Sequence, residues 1–383
     1  MEVRDRCVAR VTCVAAFALT AAVSGIGALA RADQVGGHSV LLLGGRGTLS
    51  ASELTSGDYF DTATQSFTAV AGIAPDRRRY SATLLNDGRI LIVGGFDPQG
   101  PSKQALILDR PGESLTSAPD TMCGHGFHSA TLLKDGLVLI AGGSISDDAS
   151  SDCAEIYDPT ANRFQLTAGK LNVSRLRHSA TLLRDGRVLI AGGAHASGGV
   201  NHALNSAEIF DPATGRFTLT RDRMHTKRDD LRSCLFHDGT VLIAGGWDNQ
   251  AKMLHSLEIF NPASVTFKAL KERIPIEVLQ LVLLKDSRVL LAGDERVVIF
   301  DPVGQKLSTP AGRMHEARTV YSASALEDGR VLFAGGRGKN IDRVLDSAEI
   351  FDPANGTFTS SKNALSGPRM EHLGVSLSSP RPR

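Results

Sequence analysis

The stretch "HSATLLKDGLVLIAGG" (residues 128–143) returns fifty residues later as "HSATLLRDGRVLIAGG" (178–193), sixteen residues with two changes. A catalytic motif is needed once, whereas an architectural unit is written as often as it is built, so the first expectation is a repeat. The closing glycine doublet recurs at Gly44-Gly45, Gly94-Gly95, Gly142-Gly143, Gly192-Gly193, Gly245-Gly246 and Gly335-Gly336, and a degenerate copy, "LLAGDE", keeps only Gly293. An Asp-Gly pair precedes most copies, beginning at Asp87, Asp135, Asp185, Asp238 and Asp328, with Asp286-Ser287 in the degenerate one. Asp-Gly between two apolar runs predicts a type I′ hairpin turn with positive φ at both central residues. "SATLL" and "RVLIAGG" are then antiparallel neighbours, strands A and B.

A variable loop follows each doublet, and then comes a pair of large apolar residues seven apart: Phe60/Phe67, Leu108/Leu115, Tyr157/Phe164, Phe210/Phe217, Phe260/Phe267, Phe300/Leu307 and Phe351/Phe358. A constant spacing across a short "DPATG"-like turn means a constant hairpin register, which defines strands C and D. No segment of these repeats follows a 3.6-residue period, so a helical solenoid is excluded. The 39 glycines and 42% hydrophobic residues suit many short strands and tight turns.

Four antiparallel strands and a glycine doublet in each unit of about fifty residues resemble the kelch repeat. The wording "DGRVLIAGG…SAEIFDPATGRFT" is similar to the central domain of galactose oxidase, over about residues 36–376. The resemblance implies an all-β, seven-bladed kelch-type β-propeller occupying residues 33–376 as one domain. The N-terminal copy enters at "HSVLLLGG" without a strand A, and the chain ends on "RMEHLGVSL", a strand A without a B. The expected seventh blade is composite, closed by C-terminal strand A pairing with N-terminal strand B.

Alternating strand direction puts the uniform A–B and C–D turns on one face and the B–C and D–A loops on the other. The loops "FDPQGPSKQ", "SISDDASSD", "AHASGGVNHALN", "WDNQAKMLH" and "RGKNIDRVLD" all differ. What recurs in every unit is architecture and what varies is free for function, so the loop-rich face is the candidate functional face. Two aromatic–carboxylate pairs there, Trp247-Asp248 and Phe96-Asp97, suit stacking on a sugar or peptide, or else anchor their own loops. Three residues before each strand A stands a cation or histidine: Arg77, His125, Arg175, Arg228, Arg318 and Arg369. Those five arginines are candidate ligand residues, since such groups around one mouth would capture an anion. Strand C carries matching acids at Asp58, Glu155, Glu208, Glu258 and Glu349, so pairing within blades is the plainer reading. The degenerate copy has Ile276 and Val298 instead, and Leu106 stands where Arg77 would find its acid. His128, His178 and His372 alternate with Tyr80 and Tyr321 at one position, which favours filling space beside a polar edge over holding a metal.

Residues 1–32 differ from the rest. Arg4, Arg6 and Arg10 precede an apolar run ending in Ala30-Arg31-Ala32, the pattern of a secretory signal, with a retained anchor as the alternative. Gly25 and Gly27 weaken a spanning helix and favour cleavage after Ala32. The expectation is a secreted, periplasmic or cell-surface monomer without a further membrane span, ending in a disordered tail at 377–383. The near-neutral balance of 42 basic and 41 acidic residues gives no reason to expect nucleic acid as a partner. Cys123, Cys153 and Cys234 remain after cleavage, and Cys123–Cys153 is the expected disulfide. Both flank the loop-rich face of one blade, whereas Cys234 falls mid-strand as a buried thiol.

No G-x-S-x-G elbow, H-E-x-x-H, P-loop or dinucleotide fingerprint occurs. "SDDASSD" lacks the spacing of a calcium loop and reads as solvated. Galactose oxidase uses copper with tyrosine and histidine ligands, a tyrosine–cysteine cross-link and a ligand from a further C-terminal domain. The sequence ends at "SSPRPR", and none of Tyr59, Tyr80, Tyr157 and Tyr321 has a histidine neighbour, so no copper, other metal, cofactor or catalytic residue is carried over. The leading expectation is a non-catalytic module binding a glycan or protein on the loop-rich face. A sugar epimerase or mutarotase using mouth-lining Arg, Glu and His, and a purely structural surface protein, are the alternatives.

Overall fold

The structure, a computed structural model, describes residues 39–48, 53–109, 115–146, 148–340 and 342–377. The expected signal at 1–32 lies outside them, as does the tail from residue 378. Among the described residues there is no helix; the regular structure is seven four-stranded antiparallel sheets with a few short ribbons. Strands A and D of blades 1 to 6 are Ser81–Leu84 and Leu115–Ser117, Ser129–Leu132 and Arg163–Leu166, Ser179–Leu182 and Arg216–Leu219, Arg232–Leu235 and Thr266–Arg273, Gln280–Leu283 and Lys306–Ser308, and Ser322–Ala325 and Thr357–Ser360. Blade 7 is composite: Leu373–Leu377 is its strand A, and Ser39–Leu43, Gly57–Asp61 and Ser66–Val70 are its strands B, C and D. Val40 opposes Ser376 and Leu41 opposes Val375, which closes the ring as the unmatched end strands require. Leu377 is still paired, opposite Ser39.

Each strand A packs beside the strand A of the next blade, all the way round from blade 1 through blade 7. The A strands therefore circle the axis and the D strands form the rim. Strand B of every blade is buried on both faces, as in "VLIA" of Val138–Ala141, because blades stack face to face. The core is divided into layers between blades. One joins Leu91 and Ile107 of blade 1 to Val138, Ile140 and Tyr157 of blade 2. The residues seven apart face each other directly across C–D, as in Phe210 opposite Phe217, whose rings are 4.8 Å apart.

The A–B turn differs from the expected type I′. Only the glycine has positive φ (Gly88 at 90°, Gly186 at 95°), and the aspartate before it does not. Gly88 N–H donates to Leu85 O, and Leu85 N–H donates to Arg89 O. That is a type I turn followed by a left-handed residue, the three-residue hairpin loop with a bulge. The aspartate carboxylate fixes it by accepting the Arg89 N–H at 3.0 Å. In the degenerate blade Ser287 holds φ 73° without glycine's freedom.

Candidate functional site

The glycine doublet explains the inner layer of the loop-rich face. Both glycines have positive φ, 61° and 83° at Gly192 and Gly193. A Cβ on the second would meet the backbone of the incoming D–A loop, 2.5 Å from Leu176 O at Gly193 and 2.7 Å from Asp229 O at Gly246. The first glycine turns its carbonyl inward to a cation: Arg175, Arg228, Arg318 and Arg369 donate to Gly192, Gly245, Gly335 and Gly44 at 2.7–2.9 Å. Each guanidinium also pairs with the acid of its own strand C. Arg175–Glu208 is 2.8 Å, Arg228–Glu258 3.0 Å, Arg318–Glu349 2.8 Å and Arg369–Asp58 2.6 Å. The acid then accepts N–H groups of the D–A loop, as Glu208 does from Asn172 and Val173.

These arginines are at most 1% exposed, so their placement corrects the candidate ligand role of Arg175, Arg228, Arg318 and Arg369: they are spokes inside the wall, not an anion-capturing ring. Arg77 is buried too, at 4%, and donates to Ser102 Oγ and Gln104 O. Leu106 replaces its acid, and Pro75 stands where blades 2, 3, 4 and 6 supply a loop N–H to that acid. Blade 2 uses His125, whose Nδ1 faces Gly142 O at 2.9 Å and whose Nε2 faces Glu155 at 3.1 Å. The imidazole thus spans the doublet carbonyl and the strand C acid, the two places that the guanidinium bridges in the other spokes. Burial opposes the charge of Glu155, but His125 and the N–H groups of Met122 and Cys123 hold its carboxyl below the usual range.

The position heading strand A seals the seams between blades. His128, His178 and His372 place Nε2 2.8 Å from Ser81, Ser129 and Ser322 of the preceding blade. Tyr80 and Tyr321 instead donate to the carbonyls of Leu43 and Gly293. Burial pushes His178 and His372 down to about 3, and His128 well below its ordinary value. These rings are neutral parts of the packing.

One residue earlier lies a position that the sequence reading passed over. Arg79, Phe127, Arg177, Asp230, Val320 and Glu371 occupy it, all with φ between 53° and 66°, and Val278 stands there in the degenerate blade. Non-glycine residues in the left-handed region carry strain that clusters at functional sites. Their side chains form a chain around the axial mouth. Glu371 pairs with Arg79 at 3.2 Å, and the guanidiniums of Arg79 and Arg177 flank the Phe127 ring at 5.3 and 5.5 Å. Arg177 then meets Asp229 of blade 4 at 2.5 Å, and Asp230 meets Arg232 at 2.9 Å. Beside them Glu53 lies 3.8 Å from Arg46. Its burial, opposed by Arg46 and reinforced by Glu371, pushes its carboxyl up to about 7. Blades 7 and 1 to 4 thus bring charge or Phe127 to the mouth, whereas blades 5 and 6 bring valines. The signal was available: this position varies from blade to blade, while the residue after it is histidine or tyrosine in five blades.

Phe96 reaches this ring, with its centroid 5.2 Å from Phe127. Trp247 pairs through its backbone with Asp229 and Met253. The two carboxylates cap their own turns: Asp97 accepts the Gln99 N–H at 2.8 Å, and Asp248 accepts those of Gln250 and Lys252 at 2.9 Å. Three ribbons rise side by side from blades 1, 2 and 3, and Ile145 and Val200 are exposed on two of them. Cys123 and Cys153 are joined in a disulfide with Cα atoms 6.6 Å apart, while Cys234 is free and buried.

Three of the four tyrosines have their hydroxyls committed elsewhere than to a copper centre of the galactose oxidase kind. The hydroxyls of Tyr80 and Tyr321 are spent on interior carbonyls, and that of Tyr157 donates to Asn162 across the opposite turn.

No family model matches the chain, and no curated protein does. Among solved structures it is similar to "Structure of YjhT", at 11% identity and a TM-score of 0.55 over 74% of this chain and 97% of that one. It is also similar to "Novel fungal alcohol oxidase with catalytic diversity among the AA5 family, in complex with copper", at 18% identity and a TM-score of 0.48. That match covers 86% of this chain and 64% of the oxidase, just under two thirds of its length. At such identities the likeness is one of fold. The fold is the seven-bladed, kelch-type β-propeller.

Proposed function

We propose that this propeller is a binding module whose axial mouth on the loop-rich face takes a small polar ligand, with glycans bearing a carboxylate the leading class. The observation that carries this reading is the mouth ring: charged groups concentrated on one arc, on strained backbone, with Val278 and Val320 opposite. Arg79 and Arg177 offer planar donors to a carboxylate, and Asp229, Asp230 and Glu371 accept from sugar hydroxyls. Calorimetric titration with acidic and neutral monosaccharides tests it. Saturable binding of acidic sugars, weakened at least tenfold by Arg177→Gln with cooperative unfolding kept, is expected. A panel that leaves both heat and melting temperature unchanged overturns the reading.

Glu53 favours a second reading, sugar epimerisation or mutarotation, because a carboxyl titrating near neutrality is suited to proton transfer. Isotope exchange at the anomeric or α carbon of a bound sugar, abolished by Glu53→Gln, would establish it. Binding without exchange leaves the module reading standing.

A further inference from the structure

We propose that blade 2 contains a redox-gated site for a thiophilic divalent cation such as zinc, with Cys123, Cys153 and Glu155 as ligands and His125 as the positioning residue. The two sulfurs and a carboxylate oxygen of Glu155 all lie within 4.8 Å of one another. Glu155 is the acid that strand C also carries in blades 3, 4 and 6, but at the other three places blade 2 is unlike those blades. Its cation position holds His125 where four complete blades pair an arginine with an acid, and both cysteines fall in the same blade, as Cys-x-His and Cys-x-Glu. An arginine–glutamate spoke meets the architectural need, as blades 3, 4 and 6 show. The departure therefore needs a local reason, and a set of soft and borderline ligands around one carboxylate supplies it.

Glu155 is held for this role from behind. His125 Nε2 lies 3.1 Å from Oε1, the Cys123 N–H donates to Oε1 at 2.8 Å, and the Met122 N–H donates to Oε2 at 2.9 Å. Such support orients a carboxylate ligand and commonly sets 10–100-fold in metal affinity. In the oxidised protein the sulfurs are bonded to each other and the ligand set is incomplete. A dithiol reductant opens it: attack at Cys123, the more exposed cysteine, breaks the S–S bond. The reductant's two thiols give up two electrons and two protons and close as its own disulfide, while Cys123 and Cys153 become thiols. Cation binding then displaces both thiol protons to water, leaving two thiolates and one carboxylate on the metal and a fourth position for water. Tetrahedral zinc with bonds of about 2.3 Å sets its sulfurs about 3.7 Å apart. The two sulfurs, bonded to each other in the oxidised protein, must therefore draw apart on reduction before the cation fits between them.

The full chain, reduced with a dithiol and freed of it without oxygen, is titrated with Co²⁺ as a spectroscopic stand-in and then with Zn²⁺. One equivalent of Co²⁺ with a thiolate charge-transfer band, displaced by Zn²⁺, is expected from the reduced protein and none from the oxidised. Glu155→Gln and His125→Gln are expected to weaken binding about 10–100-fold, Cys153→Ser to abolish the band, and Cys234→Ser to leave it unchanged. Circular dichroism accompanies each variant, so that loss of the band is compared only among folded proteins. A folded, reduced protein without the band overturns the proposal, as does unfolding on reduction or a band that follows Cys234.

Discussion

Arg79 of blade 1 and Glu371 of blade 7 lie 3.2 Å apart, across the seam where the two ends of the chain meet. The pair sits above the strand that closes the ring, Leu373–Leu377 against Ser39–Leu43. Deleting residues 371–383 removes the pair and the innermost strand of the composite blade together, exposing the edge of Ser39–Leu43. The truncated protein should aggregate or lose cooperative unfolding. Unchanged melting would count against closure through this strand.

Arg228 and Glu258 form a spoke buried on both sides. Removing either partner leaves the other charged and buried, so each alanine substitution should cost about 3–5 kcal/mol. The double variant should cost less than the sum by roughly 1–3 kcal/mol, read from denaturant melts. Arg77→Ala with Leu106→Ala should be additive, because Leu106 stands where strand C of the other spokes carries the acid.

His178 and His372 set an acid limit. In the unfolded chain each protonates below about 6.5, whereas in the fold each stays neutral down to about 3. Between those values the unfolded state binds more protons, so stability falls as pH falls through that window. The loss should amount to a few kcal/mol across it. Chemical melts from pH 7 to pH 3 measure the slope, and His178→Gln should flatten it. A slope unaltered by that substitution would place the acid sensitivity elsewhere.

Ser287 holds a left-handed conformation that glycine supplies in the five Asp-Gly turns. Ser287→Gly should raise stability by about 0.5–1 kcal/mol, because the native φ costs glycine nothing extra. A rise in melting temperature without a change in spectrum is the expected result, and a lower melting temperature would mean that the serine side chain makes a compensating contact.

The repeat, the blade count, the composite closure and the facing aromatic pairs were all legible in the amino-acid order. Each depends on contacts inside one blade, or on a spacing such as Phe210 to Phe217 that a fixed register turns directly into a contact. The arginine–acid spokes were legible for the same reason, since cation and acid of one pair vanish together where Ile276 and Val298 replace them. What only the tertiary structure decided lies between blades. Glu371 and Arg79 are neighbours although 292 residues apart in sequence, and Phe127 collects guanidiniums from blades 1 and 3. No short-range pattern records such contacts, because ring closure brings together residues that local propensity treats as independent. The A–B turn failed at finer grain: Asp-Gly serves both a type I′ turn and a type I turn with a bulge, and strand register chooses between them. Local hydrogen bonding and alternation determined the blades, and the packing of seven blades around one axis determined the mouth.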